Sequence, residues 1–131
     1  MNTSALAVIV AAPDSLRYSL QALLARLPQI AEVRALEHAL PAALWELQPR
    51  LAVLDADLLR DKAEPLLAHI KGLSPRTRIV LLADQIDQQQ TLQTSAADLV
   101  VLKGHPAADL FAQIEQLLAQ NQPESDPEDS R

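Results

Sequence analysis

The stretch RLAVLDADLL, Arg50 to Leu59, decides the reading of the fold. Four apolar residues, Leu51 to Leu54, lead straight into Asp55, and a second carboxylate, Asp57, follows two positions later. A continuous apolar run this short reads as a strand buried on both faces. An unpaired buried charge is costly. The carboxylate that ends this strand therefore needs either a partner or a chemical task.

The same kind of run recurs along the chain. ALAVIV (5–10), EVRAL (32–36), RIVLL (78–82) and LVVL (99–102) all read as parallel strands. Helical spacing fills the intervals. Leu16, Leu20, Leu23, Leu24 and Leu27 share one face of a first helix, which Asp14 or Ser15 can cap and Pro28 ends. A second helix is expected over about 41–48, with Pro41 in its first turn and Trp45 partly buried. A third turns Ala63, Leu66, Leu67 and Ile70 inward, with Gly72 as its C-terminal cap. A fourth, within about 85–95, is glutamine-rich and has only Ile86 and Leu92 as anchors. A fifth, about 106–120, carries Leu110, Phe111, Ile114, Leu117 and Leu118. Five strand–helix units predict an α/β domain with a parallel sheet between two helical layers. The domain is expected to span 1–120, and the acidic stretch 121–131 to be a disordered tail.

Composition narrows the function classes. The 131 residues are 49% hydrophobic, enough for one real core. The net charge of −6, without a basic patch, argues against nucleic acid or an anionic membrane as partner. One Trp, one Tyr and one Phe leave few rings for base stacking. The absence of cysteine excludes disulfides, thiol catalysis and cysteine-based zinc sites. Two glycines, Gly72 and Gly104, cannot build a glycine-rich phosphate loop. No apolar run reaches membrane-spanning length and no signal peptide is evident, so a cytoplasmic protein is expected.

In open α/β sheets ligands bind beyond the carboxyl ends of the strands. Asp55 ends the third strand and Lys103 ends the last, in LVVLKGHP. The topology brings both to one rim. There a carboxylate can attack phosphorus and a lysine can pair with phosphoryl oxygens.

At this point the chain resembles the response-regulator receiver domains of two-component signalling. PRLAVLDADLL is similar to the family's phosphoacceptor strand, with Asp55 at the acceptor position. AADLVVLKGHPAADL is similar to the stretch holding its lysine, here Lys103, and VIVAAPDSLRYSLQALL to its first strand and helix. The resemblance covers residues 5–120 and implies a flavodoxin-like (βα)5 fold, a doubly wound sheet of order 2-1-3-4-5. It also implies protein partners, a histidine kinase among them, and a partner-binding or homodimer face made by helix four, strand five and helix five. Charge reversal or bulky changes at Gln89, Gln93 and Gln113 should weaken binding through that face.

The departures from the family pattern are as informative as the match. The adjacent acidic pair that holds Mg²⁺ in receivers is Ala11 and Ala12 here. The hydroxyl at the end of strand four is replaced by Leu82, and the aromatic switch residue on strand five by Val100. The expectation is a stand-alone degenerate receiver, a non-enzyme without resident cofactor or metal, in which Asp55 and Lys103 persist as a salt bridge. A working receiver phosphorylated at Asp55, with Mg²⁺, is the alternative. A third reading takes Asp55 and Asp57 as nucleophile and general acid of a haloacid-dehalogenase-type phosphatase. It is weakened by the late position of the motif, by Leu58 and Leu59 where Gly-Thr would stand, and by the lack of a later acidic pair. Asp57 is otherwise expected to be a solvated loop residue.

Overall fold

The computed structural model describes residues 4–11, 15–36, 46–59, 63–84, 97–104 and 106–120. In chain order these form β1 (Ser4–Val10), α1 (Ser15–Leu24), β2 (Glu32–Leu36), β3 (Pro49–Asp55) and α2 (Ala56–Leu59). There follow α3 (Ala63–Leu73), β4 (Arg78–Ala83), β5 (Leu99–Leu102) and α4 (Ala107–Gln120). The strands make one parallel sheet of order β2-β1-β3-β4-β5. This is the predicted doubly wound, flavodoxin-like arrangement.

Alternating residues of each strand serve opposite faces. Ala7, Ile9, Leu51, Val53, Val80, Leu82 and Val101 pack against Leu20 and Leu24 of α1 and Leu110, Ile114 and Leu118 of α4. Val8, Val10, Leu54, Ile79, Leu81 and Val100 pack on the other side, against Leu67 and Ile70 of α3. The middle strands are therefore covered on both faces, which is why they read as unbroken apolar runs. Each fully buried Leu or Ile contributes about 1.5–3 kcal/mol relative to exposure.

Several sequence expectations are refined. β3 starts at Pro49 and includes Asp55, and β4 ends at Ala83, one residue beyond Leu82. α3 continues through Gly72 to Leu73, and Gly72 has no positive φ, so it is not the cap. Ser74, whose N–H bonds Ile70 O at 2.7 Å, prolongs the helical bonding instead. α1 tightens after Leu24, where Arg26 and Leu27 bond three residues back, before Pro28. The short α2 had no counterpart in the sequence reading. The helices expected over 41–48 and 85–95 lie almost wholly outside the described residues, as do Trp45 and the segment 121–131.

A polar network anchors the amino-terminal ends of β3 and β4. Thr77 Oγ1 donates to Pro49 O at 2.6 Å and lies 2.5 Å from Ser74 Oγ; both residues are fully buried. Gln48 adopts φ 45°, a left-handed conformation costly for a residue with a Cβ. Its side chain is held there by bonds to Leu73 O and from Ser74 Oγ, each 3.2 Å. Asp98 stitches the lead-in of β5 to β4: it accepts from Ile79 N–H at 2.8 Å and pairs with Lys71 at 3.0 Å and Arg78 at 3.1 Å. This end of the sheet is fixed, and the opposite rim carries the charges that the strands bring to their carboxyl ends.

Candidate functional site

The rim is built by strand ends. Asp55 is the last residue of β3, in register with Leu82 of β4. It shares the face of Leu51 and Val53, and Lys103, just after β5, shares the face of Val101. Asp84, one residue past β4, is on that same face. Val10 of β1 is in register with Leu54, so the next residue, Ala11, stands beside Asp55. The topology therefore gathers Ala11, Asp55, Asp84 and Lys103 along one side of the rim.

Lys103 is the centre of the arrangement. Its Nζ lies 2.7 Å from Asp55 Oδ1, 3.0 Å from Asp57 Oδ2 and 3.3 Å from Asp84 Oδ1. A lysine ammonium has three N–H donors, and three carboxylates face it. Asp55 is buried, whereas Asp57 and Asp84 are exposed to solvent. Burial works against the ammonium, but hydrogen bonds to Asp55 and Asp57, the charge of Asp55 and the bond to Asp84 outweigh it. Together they hold Lys103 well above its ordinary value of 10.5.

Asp55 has a second task. Its Oδ1 accepts the Asp57 N–H at 2.9 Å, capping the start of α2. The cap explains why the strand turns sharply into a helical turn, and it places the Asp57 carboxylate next to Lys103. Asp57 is thus solvent-exposed, as expected from the sequence, but it stands in the first turn of α2 instead of a loop and is a partner of the lysine.

The other singled-out positions are apolar and buried. Ala11 is 1% exposed and offers no oxygen from its side chain. Leu82 packs in the core under α1 and α4, and Val100 in the core under α3. The end of β4 is Ala83, which also lacks a hydroxyl. Ala12 lies outside the described residues.

The Mg²⁺ site that the resemblance implies does not fit the described residues. Mg²⁺ requires oxygen ligands in near-octahedral array at about 2.0–2.1 Å. Ala11 supplies none, and the carboxylates of Asp55, Asp57 and Asp84 converge on an ammonium. Among the described residues no group of three or more His, Cys, Asp or Glu is arranged to hold a metal ion. No described helix is long and apolar enough to cross a membrane.

One residue of the cluster, Asp84, has no place in the sequence reading, and a second, Asp57, has a different role there. Asp84 follows the apolar run RIVLLA just as Asp55 follows LAVL. The rule that singled out Asp55 would have found it once the strand was extended to Ala83. Asp57 was noticed, but its pairing depends on the unforeseen α2.

No family model matches the sequence, and no curated protein matches it. Solved structures do. NtrX from Brucella abortus in complex with ADP is 22% identical with a TM-score of 0.74, over 88% of this chain and 26% of that one. The chain thus spans about a quarter of NtrX. A LuxR-family two-component response regulator from Aurantimonas sp. SI85-9A1 is 22% identical with a TM-score of 0.73, over 88% of this chain and 84% of that one. A CheY-like response regulator receiver domain protein from Methanospirillum hungatei JF-1 is 19% identical with a TM-score of 0.70, over 92% of this chain and 98% of that one. At such identities the likeness speaks for the backbone, and the backbone is unambiguous: the chain has the fold of response-regulator receiver domains.

Proposed function

We propose that this chain is a receiver-like signalling module that works through protein contacts and does not use Mg²⁺-dependent phosphorylation of Asp55. The observation that carries the reading is Lys103, held at 2.7, 3.0 and 3.3 Å by Asp55, Asp57 and Asp84. Asp55 caps α2 and pairs the lysine, so its carboxylate has a structural role that does not depend on chemistry. The neighbouring β1 position is the buried Ala11, and the hydroxyl expected on β4 is replaced by apolar residues.

The phosphatase reading draws less support. Its general acid would be Asp57, which is engaged with Lys103. Output through the β5 and α4 side, including Gln113, and homodimerisation through that side are parts of this proposal. Asp98, Leu99, Gln113, Gln116 and Leu117 line a shallow concavity of about 180 Å³ there.

The test is an amide NMR titration with beryllofluoride in the presence of Mg²⁺. The expected spectrum is unchanged at Asp55, Asp57, Asp84 and Lys103. Saturable shifts clustered at these residues would overturn the proposal and restore a working receiver.

A further inference from the structure

The misfit between the rim and a divalent metal has a positive counterpart in the lysine. We propose that the Lys103 ammonium is the resident counter-cation of this rim, standing where a dissociable divalent ion would otherwise be needed to hold three carboxylates together. The inference rests on the reading above and deepens it, because it names what closes the site.

The geometry supports it in three ways. First, the three carboxylates come from three segments: the end of β3, the first turn of α2 and the residue after β4. Like charges gathered this closely repel one another, and a cation between them offsets that repulsion. Second, the lysine reaches them from a fourth segment, just after β5, and Lys103 N–H also bonds Ala83 O at 2.8 Å. The backbone of that segment is therefore fixed, and the ammonium is delivered to the centre by the fold. Third, the ammonium's donors match its acceptors in number, three to three. A dication placed among the same oxygens at about 2.0–2.6 Å would overlap the ammonium and be repelled by it.

Asp84 acquires a role through this argument. It is a positioning residue: together with Asp57 it holds the lysine between the strand ends instead of leaving it to Asp55 alone. Without the lysine, the exposed Asp57 and Asp84, 3.0 and 3.3 Å from its position, need to swing in by roughly 0.5 Å and roughly 0.8 Å to reach Ca²⁺ ligand distances. Ca²⁺, which tolerates irregular geometry, is then the better probe than Mg²⁺.

The experiment follows thermal unfolding of the full chain with Mg²⁺ or Ca²⁺ at constant ionic strength, against matched NaCl. For the wild type, the expected midpoint is the same with and without millimolar divalent ion. For Lys103→Met, the midpoint falls by several degrees and millimolar Ca²⁺ returns a substantial part of the loss. Lys103→Met/Asp84→Asn loses that recovery. A wild-type midpoint that rises with Mg²⁺ beyond the NaCl control would overturn the proposal. So would a Lys103→Met protein that is indifferent to both ions. Lys103→Gln, which keeps a hydrogen-bond donor but no charge, takes the place of Lys103→Met if the latter fails to fold, and the wild-type arm stands by itself. Shifts with beryllofluoride would defeat the functional reading, whereas an absent Ca²⁺ rescue would defeat this inference alone.

Discussion

Removing the ammonium at position 103 while leaving its three acids in place should be among the most damaging changes on the surface of this domain. At about 3 Å and an effective dielectric of about 20, one such ion pair represents about 5 kcal/mol of Coulomb energy before desolvation is subtracted. The three pairs do not contribute equally. The side chains of Asp57 and Asp84 are 45% and 49% exposed, so water screens them and each pair is worth about 0.2–1 kcal/mol. The Asp55 side chain is 10% exposed and that of Lys103 19%. Losing one partner of a buried pair costs about 3–5 kcal/mol, chiefly because the other charge is stranded. Lys103→Met should therefore cost about 3–4 kcal/mol, measured by urea unfolding followed by far-UV circular dichroism. The stranded charge makes a second, sharper expectation. Asp55→Asn keeps the acceptor that caps α2 but removes the charge, so in the Lys103→Met background it should restore about 1–2 kcal/mol. A loss below about 1 kcal/mol, or no recovery on adding Asp55→Asn, would refute the reasoning that the lysine compensates the buried Asp55 charge.

Three further outcomes follow from the same structure. Because Lys103 is held above 10.5 in the fold, its contribution is complete below that pH and is lost only as pH rises beyond it. The stability gap between wild type and Lys103→Met should thus stay constant from neutral pH to about 10 and narrow above, as urea unfolding across that range would record. Thr77→Val removes the donor to Pro49 O inside the fully buried Ser74–Thr77 pair; a loss of about 1–3 kcal/mol is expected in the same assay. At Gln48, whose φ is 45°, both Ala and Gly forfeit the side-chain bonds but only Ala keeps the strain. Gln48→Gly should be more stable than Gln48→Ala by about 1 kcal/mol, and equal stabilities would show that the backbone there carries no strain.

Much of the architecture could be read from apolar runs because the sheet is covered on both faces. A strand such as LAVL has no polar face to interrupt it, and the turns between runs set the order of elements. The strand ends were less legible. Asp55 extends β3 beyond its apolar run, since hydrogen bonding to a neighbouring strand is indifferent to side-chain polarity, and β4 takes in Ala83 as well as RIVLL. Gly72 misled for a related reason: a glycine suits a helix cap, but α3 is held through Leu73 by packing and by the Ser74 network. The Asp55–Lys103 approach followed from the placement of two strand ends on one rim. The fuller site did not, because Asp57 needs the turn of α2 and Asp84 needs the register of β4. Neither is encoded in local spacing. The network around Thr77, Pro49 and Gln48 joins residues up to 28 positions apart, and no short-range pattern announces it.

The central claim, that this rim has exchanged metal-assisted phosphoryl chemistry for a fixed ionic cluster, is tested most directly by intact mass. The protein is incubated with acetyl phosphate and Mg²⁺, with Asp55→Asn beside it. The account predicts an unchanged mass for both. A wild-type protein that gains one phosphoryl group, where Asp55→Asn gains none, would contradict it.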